Sequence, residues 1–408
     1  MQIGTGSRSR LLWEVSTDGD SFLASRLCAD KWRTSRILRD AGLPGSVNTL
    51  VRSHEDAVSA AHAMGWPVLV KPSDQEQSAG VSVGIADDDA LRTAFDHARM
   101  FSPNIIVEKQ APGLCYRLLV AGGELIYAVS RVPKSVVGDG VLTVSELIAK
   151  ANEERMQQPP WKRIIAYPAD AEAEQSLAAQ GLDFDSIPEK DRRVLLRPIT
   201  SGELGGWSDN LTDIIHPDNA RLAIDAASVV GLTLAGVDLI TTDLSRPWHE
   251  TGAVVNEINF NPQFMTHGRE KDARTLMAAL VEGDGRIPVH LVTGRGDLQA
   301  RAIQLRDKLV GEGRSCHITC ASQSLDPSGH EIPMGFSGIF DRSLALAMRK
   351  DVSEIILYGQ IDKVFARGLA VDRLERVYVC EPNRARGREM VRAIKLRVPH
   401  RSIRLIEG

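Results

Sequence analysis

The sequence predicts an α/β protein in two parts: antiparallel sheets with helices over residues 1–285, then a parallel α/β layer over 286–408. Three observations carry this. At 408 residues the chain exceeds one ordinary core, so two or three domains are expected. Residues 236–262, GVDLITTDLSRPWHETGAVVNEINFNP, read as two strands joined by a short polar turn. From Arg286 onward, strand-like and helix-like runs alternate, the pattern of a parallel sheet.

Composition narrows the class. The chain is 43% hydrophobic and 25% charged, as soluble globular proteins are. A net charge of −4 gives no nucleic-acid footprint. No apolar run is long enough to span a membrane. The opening MQIGTGSRSR lacks the apolar core of a secretory signal. The cysteines, Cys28, Cys115, Cys316, Cys320 and Cys380, are odd in number and scattered. No second pair follows Cys316 and Cys320, which argues against zinc. Reduced thiols in a cytoplasmic enzyme are expected.

Taken in order, residues 1–20 are Gly-, Ser- and Asp-rich, and 21–42 read as one helix with Lys31 in its middle. A second helix covers 54–65. WPVLVKP is a strand closed by Lys71, followed by a polar loop with the single glycine Gly80 and then a second strand. A helix at 88–100 precedes NIIVEK, in which Glu108 ends an apolar strand, and a meander follows with its turn at Gly122-Gly123. Residues 134–205 are less regular, with two helices and a strand ending at Arg197 before SGELGGW. PDNARLAIDAASVVG (217–231) is an amphipathic helix that leads into the hairpin of 236–262.

In that hairpin Glu257 and Asn259 are two apart and so share a strand face, with Asp238 in the first strand. Two carboxylates and an amide suit a hard divalent cation such as Mg²⁺; they also suit an ordinary solvated face.

The order VLVKP, IIVEK, VPKSVVGDGVLTVSELI, LLRP, HPDNARLAIDAASVVGLTLAGVDLITTD and EINFNPQFMTH resembles the ATP-grasp ligases, and among them cyanophycin synthetase, from about Ile3 to about His267. The resemblance implies a carboxylate–amine ligase that uses ATP and Mg²⁺ and passes through an acyl phosphate. It implies Asp238, Glu257 and Asn259 as metal ligands. Lys31, Lys71, Glu108, Lys109, Gln110 and Ala111 would form the nucleotide site, with a lid subdomain at about 66–133 and an insertion at about 134–205. Arg197 and Arg117 would be the catalytic arginines. Ser201, Gly202, Gly205 and Gly206 are candidate substrate contacts, while His216 and His267 read as structural.

The second part resembles the Mur-ligase-like, Rossmann-like parallel domain that follows in that family. GRIPVHLVTGRGDLQAR keeps Thr293 and Gly294, but Leu298 stands where the P-loop lysine would be and Gln299 replaces the hydroxyl residue. A degenerate domain without a working P-loop is expected. Three further departures stand in the first part: Gln75, Gln77 and Ser78 replace a glycine-rich lid, Cys115 replaces an acidic ribose contact, and Gln263 alters the wall after the metal asparagine.

These losses point to one dedicated amide-forming step in a specialised peptide or peptidyl-nucleoside pathway, such as antibiotic biosynthesis. The substrates would be small and amino-acid- or peptide-like, with no nucleic-acid or membrane partner, and a homo-oligomer is expected. The alternatives are a non-catalytic partner built from a decayed synthetase, or one half of a polymer-forming enzyme.

Overall fold

The structure, a computed structural model, describes all residues except 15, 76–78, 132, 160–165, 198–209, 263–269, 362–363, 365–366, 381–384, 398 and 407–408. Among the site expectations, Gln77, Ser78, Ser201, Gly202, Gly205, Gly206, Gln263 and His267 lie outside the described residues. The chain divides into two compact units, Val15–Leu276 on the one hand and Met1–Glu14 with Met277–Gly408 on the other. The units part at 276/277 rather than at 285/286, and the N-terminal stretch to Glu14 counts with the C-terminal unit. There Gln2–Ile3 pairs antiparallel with Arg10–Trp13, a ladder hidden in sequence by its Gly- and Ser-rich setting. Among the described residues no helix is long and apolar enough to cross a membrane.

Within Val15–Leu276, one antiparallel sheet runs in the order Asn48–Val51, Ile105–Lys109, Val68–Pro72, Ser82–Ile85. Helices His54–Met64 and Asp88–Arg99 cover one face. Ser53 and Asp87 cap their first turns by accepting from Asp56 N and Ala90 N, which satisfies otherwise orphaned donors. Val68, Val70, Ile105 and Val107 point into the core with Leu91 and Phe95. Strand alternation then turns Lys71 and Glu108 to the opposite face.

The second sheet, also antiparallel, runs Val254–Asn259, Leu234–Thr241, Leu114–Ala121, Glu124–Arg131. Helix Pro217–Val230 lays Leu222, Ala223, Ala226 and Ala227 against Leu118, Val120, Val237 and Leu239. The same alternation sends Arg117, Gly236 and Asp238 to the other face. The insertion has its own small core, where Val136, Val194 and Leu196 meet Val144 and Leu147 of helix Val144–Gln157 and Leu177 of helix Ala171–Ala178.

One expected helix is two. Residues 21–42 break into Phe22–Cys28 and Lys31–Asp40 because the Asp30 carboxylate accepts from Arg33 N at 3.1 Å and starts a new helix. Lys31 is thus the first residue of a helix, not the middle of one.

In the other unit a sheet runs Ser324–Leu325, His317–Thr319, Ile355–Tyr358, Val289–Gly294, Leu374–Cys380, His400–Ile406. All neighbours are parallel except the Ser324–Leu325 edge. Counted along the chain, the parallel strands lie in the order 2-3-1-4-5, which is not the 3-2-1-4-5-6 order of the dinucleotide-binding Rossmann fold. The central strands are buried on both faces. Leu291, Leu357 and Val377 meet Ile339, Leu346 and Ile394 on one side, while Val292, Ile356 and Tyr378 meet Leu298, Ala302 and Leu309 on the other.

Gly113, at the entry to strand Leu114–Ala121, has φ +113°, and a Cβ there would lie 2.2 Å from Thr241 O. Gly123 has φ +83° but open space around it. Gly113→Ala is expected to destabilise the fold by more than about 2 kcal/mol, against about 1 kcal/mol for Gly123→Ala. Urea unfolding of both variants checks the difference; equal losses would contradict the close packing at Gly113.

Candidate active site

Three adjacent strands set the centre of the site. Asp238 is the register partner of Arg117 on one side and of Glu257 on the other, so the three side chains stand in a row across the sheet. The Arg117 guanidinium grips Asp238 bidentately, Nε to Oδ1 at 2.5 Å and Nη2 to Oδ2 at 3.0 Å. Both side chains are buried. Burial works to lower the Arg117 pKa, but the Asp238 charge and hydrogen bonds outweigh it and hold the guanidinium firmly protonated. Gly236 makes room for this fork, since a Cβ there would come within 3.1 Å of Arg117 Cδ and Nη1. Sequence reasoning passed over Gly236, a glycine two before Asp238 in a largely apolar strand.

Glu257 remains 26% exposed. Its pKa is pushed up, first by desolvation and then by the negative Asp238, with Lys31 and Lys71 pulling the other way. Lys31 Nζ lies 3.8 Å from Glu257 and donates to Gln75 O at 2.6 Å. The split at Asp30 is what brings this lysine to the site. Asn259 donates Nδ2 to Gly236 O at 3.2 Å and lies 3.5 Å from Asp238 Oδ2. Asp238, Glu257 and Asn259 thus place two carboxylates and an amide side by side on the sheet. That donor set fits a hard divalent cation.

Lys71 reaches this group from the other sheet. It donates to Glu108 Oε1 at 2.9 Å and to Asn256 Oδ1 at 3.2 Å. Asn256 was not foreseen. The ladder shifts register between Asp238 and Leu239, pairing Asp238 with Glu257 and Leu239 with Val255, so Asn256 is bulged out without a partner. Such a bulge re-aims a side chain, here toward Lys71.

The Glu108 carboxylate does not face outward to a nucleotide base. It is buried and accepts from Lys71, from Ser46 Oγ at 3.0 Å and from Asn48 Nδ2 at 3.2 Å. Ser46 and Asn48 bond in turn to Ser35 Oγ, at 2.9 and 3.0 Å, which ties helix Lys31–Asp40 into the same network. Lys109 also turns away, donating to Gly65 O at 3.0 Å and Trp66 O at 2.9 Å. Gln110 Oε1 accepts from Gly84 N at 2.7 Å. The backbone here is engaged as well, Lys109 N donating to Val47 O at 2.9 Å and Gln110 N to Pro67 O at 3.3 Å. Cys115 lies two before Arg117 on the same strand and shares its face.

Arg197 stands apart. It is buried on the insertion, where Asp170 holds it bidentately at 2.9 and 2.7 Å and Glu172 lies 3.1 Å from its Nε. Among the described residues no hydrogen bond or ion pair joins it to the Arg117–Asp238–Glu257 row. His216 caps helix Pro217–Val230, its Nδ1 accepting from Asp218 N at 3.2 Å. Lys134, also overlooked in the sequence, is buried in the insertion with its ammonium 4.0 Å above the Tyr167 ring. Burial, and then Arg155, lower its pKa to about 8.

In the other unit, the helix that would follow a P-loop is capped by its own chain. Asp297 accepts from Ala300 N at 2.9 Å, placing a carboxylate where a phosphate would sit, and Leu298 is buried in the core.

No protein-family model matches the chain. Cyanophycin synthetase of a Nostoc species is 32% identical over 304 residues, covering 72% of this chain and 34% of that protein. The glutathione biosynthesis bifunctional protein GshAB of Mannheimia succiniciproducens is 34% identical over 262 residues, covering 62% of this chain and 34% of that protein. Among solved structures, a bifunctional glutathione synthetase from Pasteurella multocida is 31% identical, covers 65% of this chain and 38% of that one, and gives a TM-score of 0.47. The chain spans about a third of the length of the curated relatives it matches. It is homologous to both over the shared region, and its resemblance to the ATP-grasp ligases stands.

The Glu257 environment makes a pH prediction. Because its folded pKa is raised, its contribution to stability is fully present below the unfolded value of about 4.3 and is lost as pH rises through the folded value. Without Mg²⁺ or nucleotide, Glu257→Gln is expected to melt higher than wild type at neutral pH, with the difference shrinking toward pH 4. Melting curves across that range test it; a variant less stable at pH 7 would show that Glu257 is net favourable without a cation.

Proposed function

We propose that the chain is an ADP-forming ligase that joins an amino-acid-like carboxylate to an amine through an acyl phosphate. The observation that carries this reading is the convergence of Lys31, Lys71, Arg117, Asp238, Glu257 and Asn259 on the sheet face, with each cation held by a carboxylate or carbonyl. Homology to a cyanophycin synthetase and to a glutathione biosynthesis protein supports it.

In this scheme a donor carboxylate oxygen attacks the γ-phosphorus of ATP and the bond to ADP breaks. The amine then attacks the acyl carbon, phosphate leaves with the C–O electron pair, and the amine proton passes to solvent. No covalent enzyme nucleophile is required, so the protein's part is orientation and charge placement. Lys71, held by Glu108 and Asn256, presents an ammonium to phosphate oxygens from the lid sheet. Lys31 presents a second from a helix start. Asp238, Glu257 and Asn259 would hold Mg²⁺, which when bound neutralises charge on the phosphate oxygens. Arg117, fixed by Asp238, orients that carboxylate and places positive charge beside it. Arg197, proposed from sequence as the arginine that stabilises the transferring phosphoryl group, would have to leave Asp170 and Glu172 to act in this way. Small amino-acid or peptide-like substrates, a specialised amide-forming pathway, a cytoplasmic setting and a homo-oligomer belong to the same proposal.

The test is ADP release across a panel of amino acid pairs, together with calorimetric titration by Mg·ATP. Lys71→Ala is expected to lower ADP formation by about 100-fold or more. Glu257→Gln is expected to lose metal-dependent nucleotide heat while staying folded. It is the better probe, because Asp238→Ala would strand the buried Arg117 charge at a cost of about 3–5 kcal/mol. Neither ADP nor metal-dependent heat with wild type would overturn the proposal and favour a non-catalytic partner.

A further inference from the structure

We infer that the face of the parallel sheet beside helix Leu298–Gly311 is a binding site for a small organic anion, its phosphate or carboxylate oxygens met by guanidiniums and its apolar body resting on Tyr378. The site lies wholly within the unit that contains Met277–Gly408 and does not depend on the ligase reading. A cavity of about 410 Å³ opens there, within the size range of small-molecule sites. Its apolar lining comes from Val292, Leu305, Tyr378 and Ile406.

The charges around it do not cancel. Arg314 pairs with Glu354 and lies 3.9 Å from Glu312, which Lys308 also reaches at 4.0 Å. Glu375 is taken by Arg401 at 3.4 Å. Once these pairs are closed, Arg301, Arg376 and Arg404 line the cavity with no carboxylate partner among the described residues. Among the described residues Arg301 meets Gln304, at 3.4 Å. Arg376 donates to Ser402 Oγ at 3.2 Å and to Tyr378 OH at 3.5 Å, with its guanidinium 6.0 Å from the tyrosine ring centroid. Guanidinium forks of this kind match the planar or tetrahedral oxygen sets of carboxylates and phosphates.

A second observation comes from the wall. His290 is 3% exposed, and its Nε2 lies 2.5 Å from Glu354 Oε1. Its Nδ1 is buried with no hydrogen-bond partner among the described residues. A buried polar atom left in this way is uncommon and marks a place where a partner is missing. The packing of an apolar helix over this face would bury three unpaired guanidiniums, which is unfavourable; a small anion would pair them. The site is also separate from the helix N-terminus, which Asp297 already caps.

The experiment is fluorescence titration of the full chain with 1-anilinonaphthalene-8-sulfonate, an aromatic anion, alongside hydrogen exchange. One probe per chain is expected, slowing exchange in Leu298–Gly311 and His400–Ile406. Arg376→Gln combined with Arg404→Gln should weaken binding by about tenfold or more, while Arg376→Lys with Arg404→Lys should retain most of it. Pyrophosphate and citrate serve as competitors, and whichever displaces the probe better identifies the anion chemistry. Displacement by neither overturns the inference. So does equal binding of the neutral N-phenyl-1-naphthylamine with no effect of the Gln pair, which would mean a plain apolar face. Protection confined to Leu114–Ala121 and Leu234–Thr241 would also overturn it, by placing the probe in the other unit.

Discussion

The buried pair between Arg117 and Asp238 is the constraint on which the Val15–Leu276 unit is arranged. An ion pair removed from water is tolerated only with good geometry on both partners. Here the register of three strands supplies it, and Gly236 supplies the space. Glu257, beside Asp238, resists ionisation, first because it is desolvated and then because of the Asp238 charge. The site is therefore electrostatically loaded before any ligand arrives.

Around this pair runs a second network that joins the two sheets. Glu108 accepts from Lys71, Ser46 and Asn48, and Ser35 anchors the helix that begins at Lys31. Every member is a polar group taken out of water, and among the described residues only Asn48 Oδ1 in it lacks a partner. Lys71 is the link, since its second bond goes to the bulged Asn256 of the other sheet. The position of both lysines is thus decided by groups that touch no nucleotide in the proposed scheme.

The C-terminal unit has a different logic. Its helix start is closed by Asp297, and three guanidiniums without a carboxylate partner among the described residues line a cavity between that helix and the sheet. Parallel strands buried on both faces leave polar side chains few places to stand, so positive charge concentrates where the sheet face opens.

Much of the fold was legible in the residues. Apolar alternation and capping residues are local signals, and they located the VLVKP and IIVEK strands, the hairpin of 236–262, the helix after Pro217 and the parallel layer. The strand face shared by Glu257 and Asn259 follows from a period of two. The break at Asp30 was also local, a capping aspartate read as an ordinary helix residue. Tertiary structure alone decided the rest. Which residues oppose Asp238, that Asn256 bulges toward Lys71, that the Glu108 carboxylate turns inward, and that Arg197 is bound by Asp170 all depend on pairing between segments far apart in the chain. Periodicity along one segment states which face a side chain occupies; it carries no information about what stands across from it.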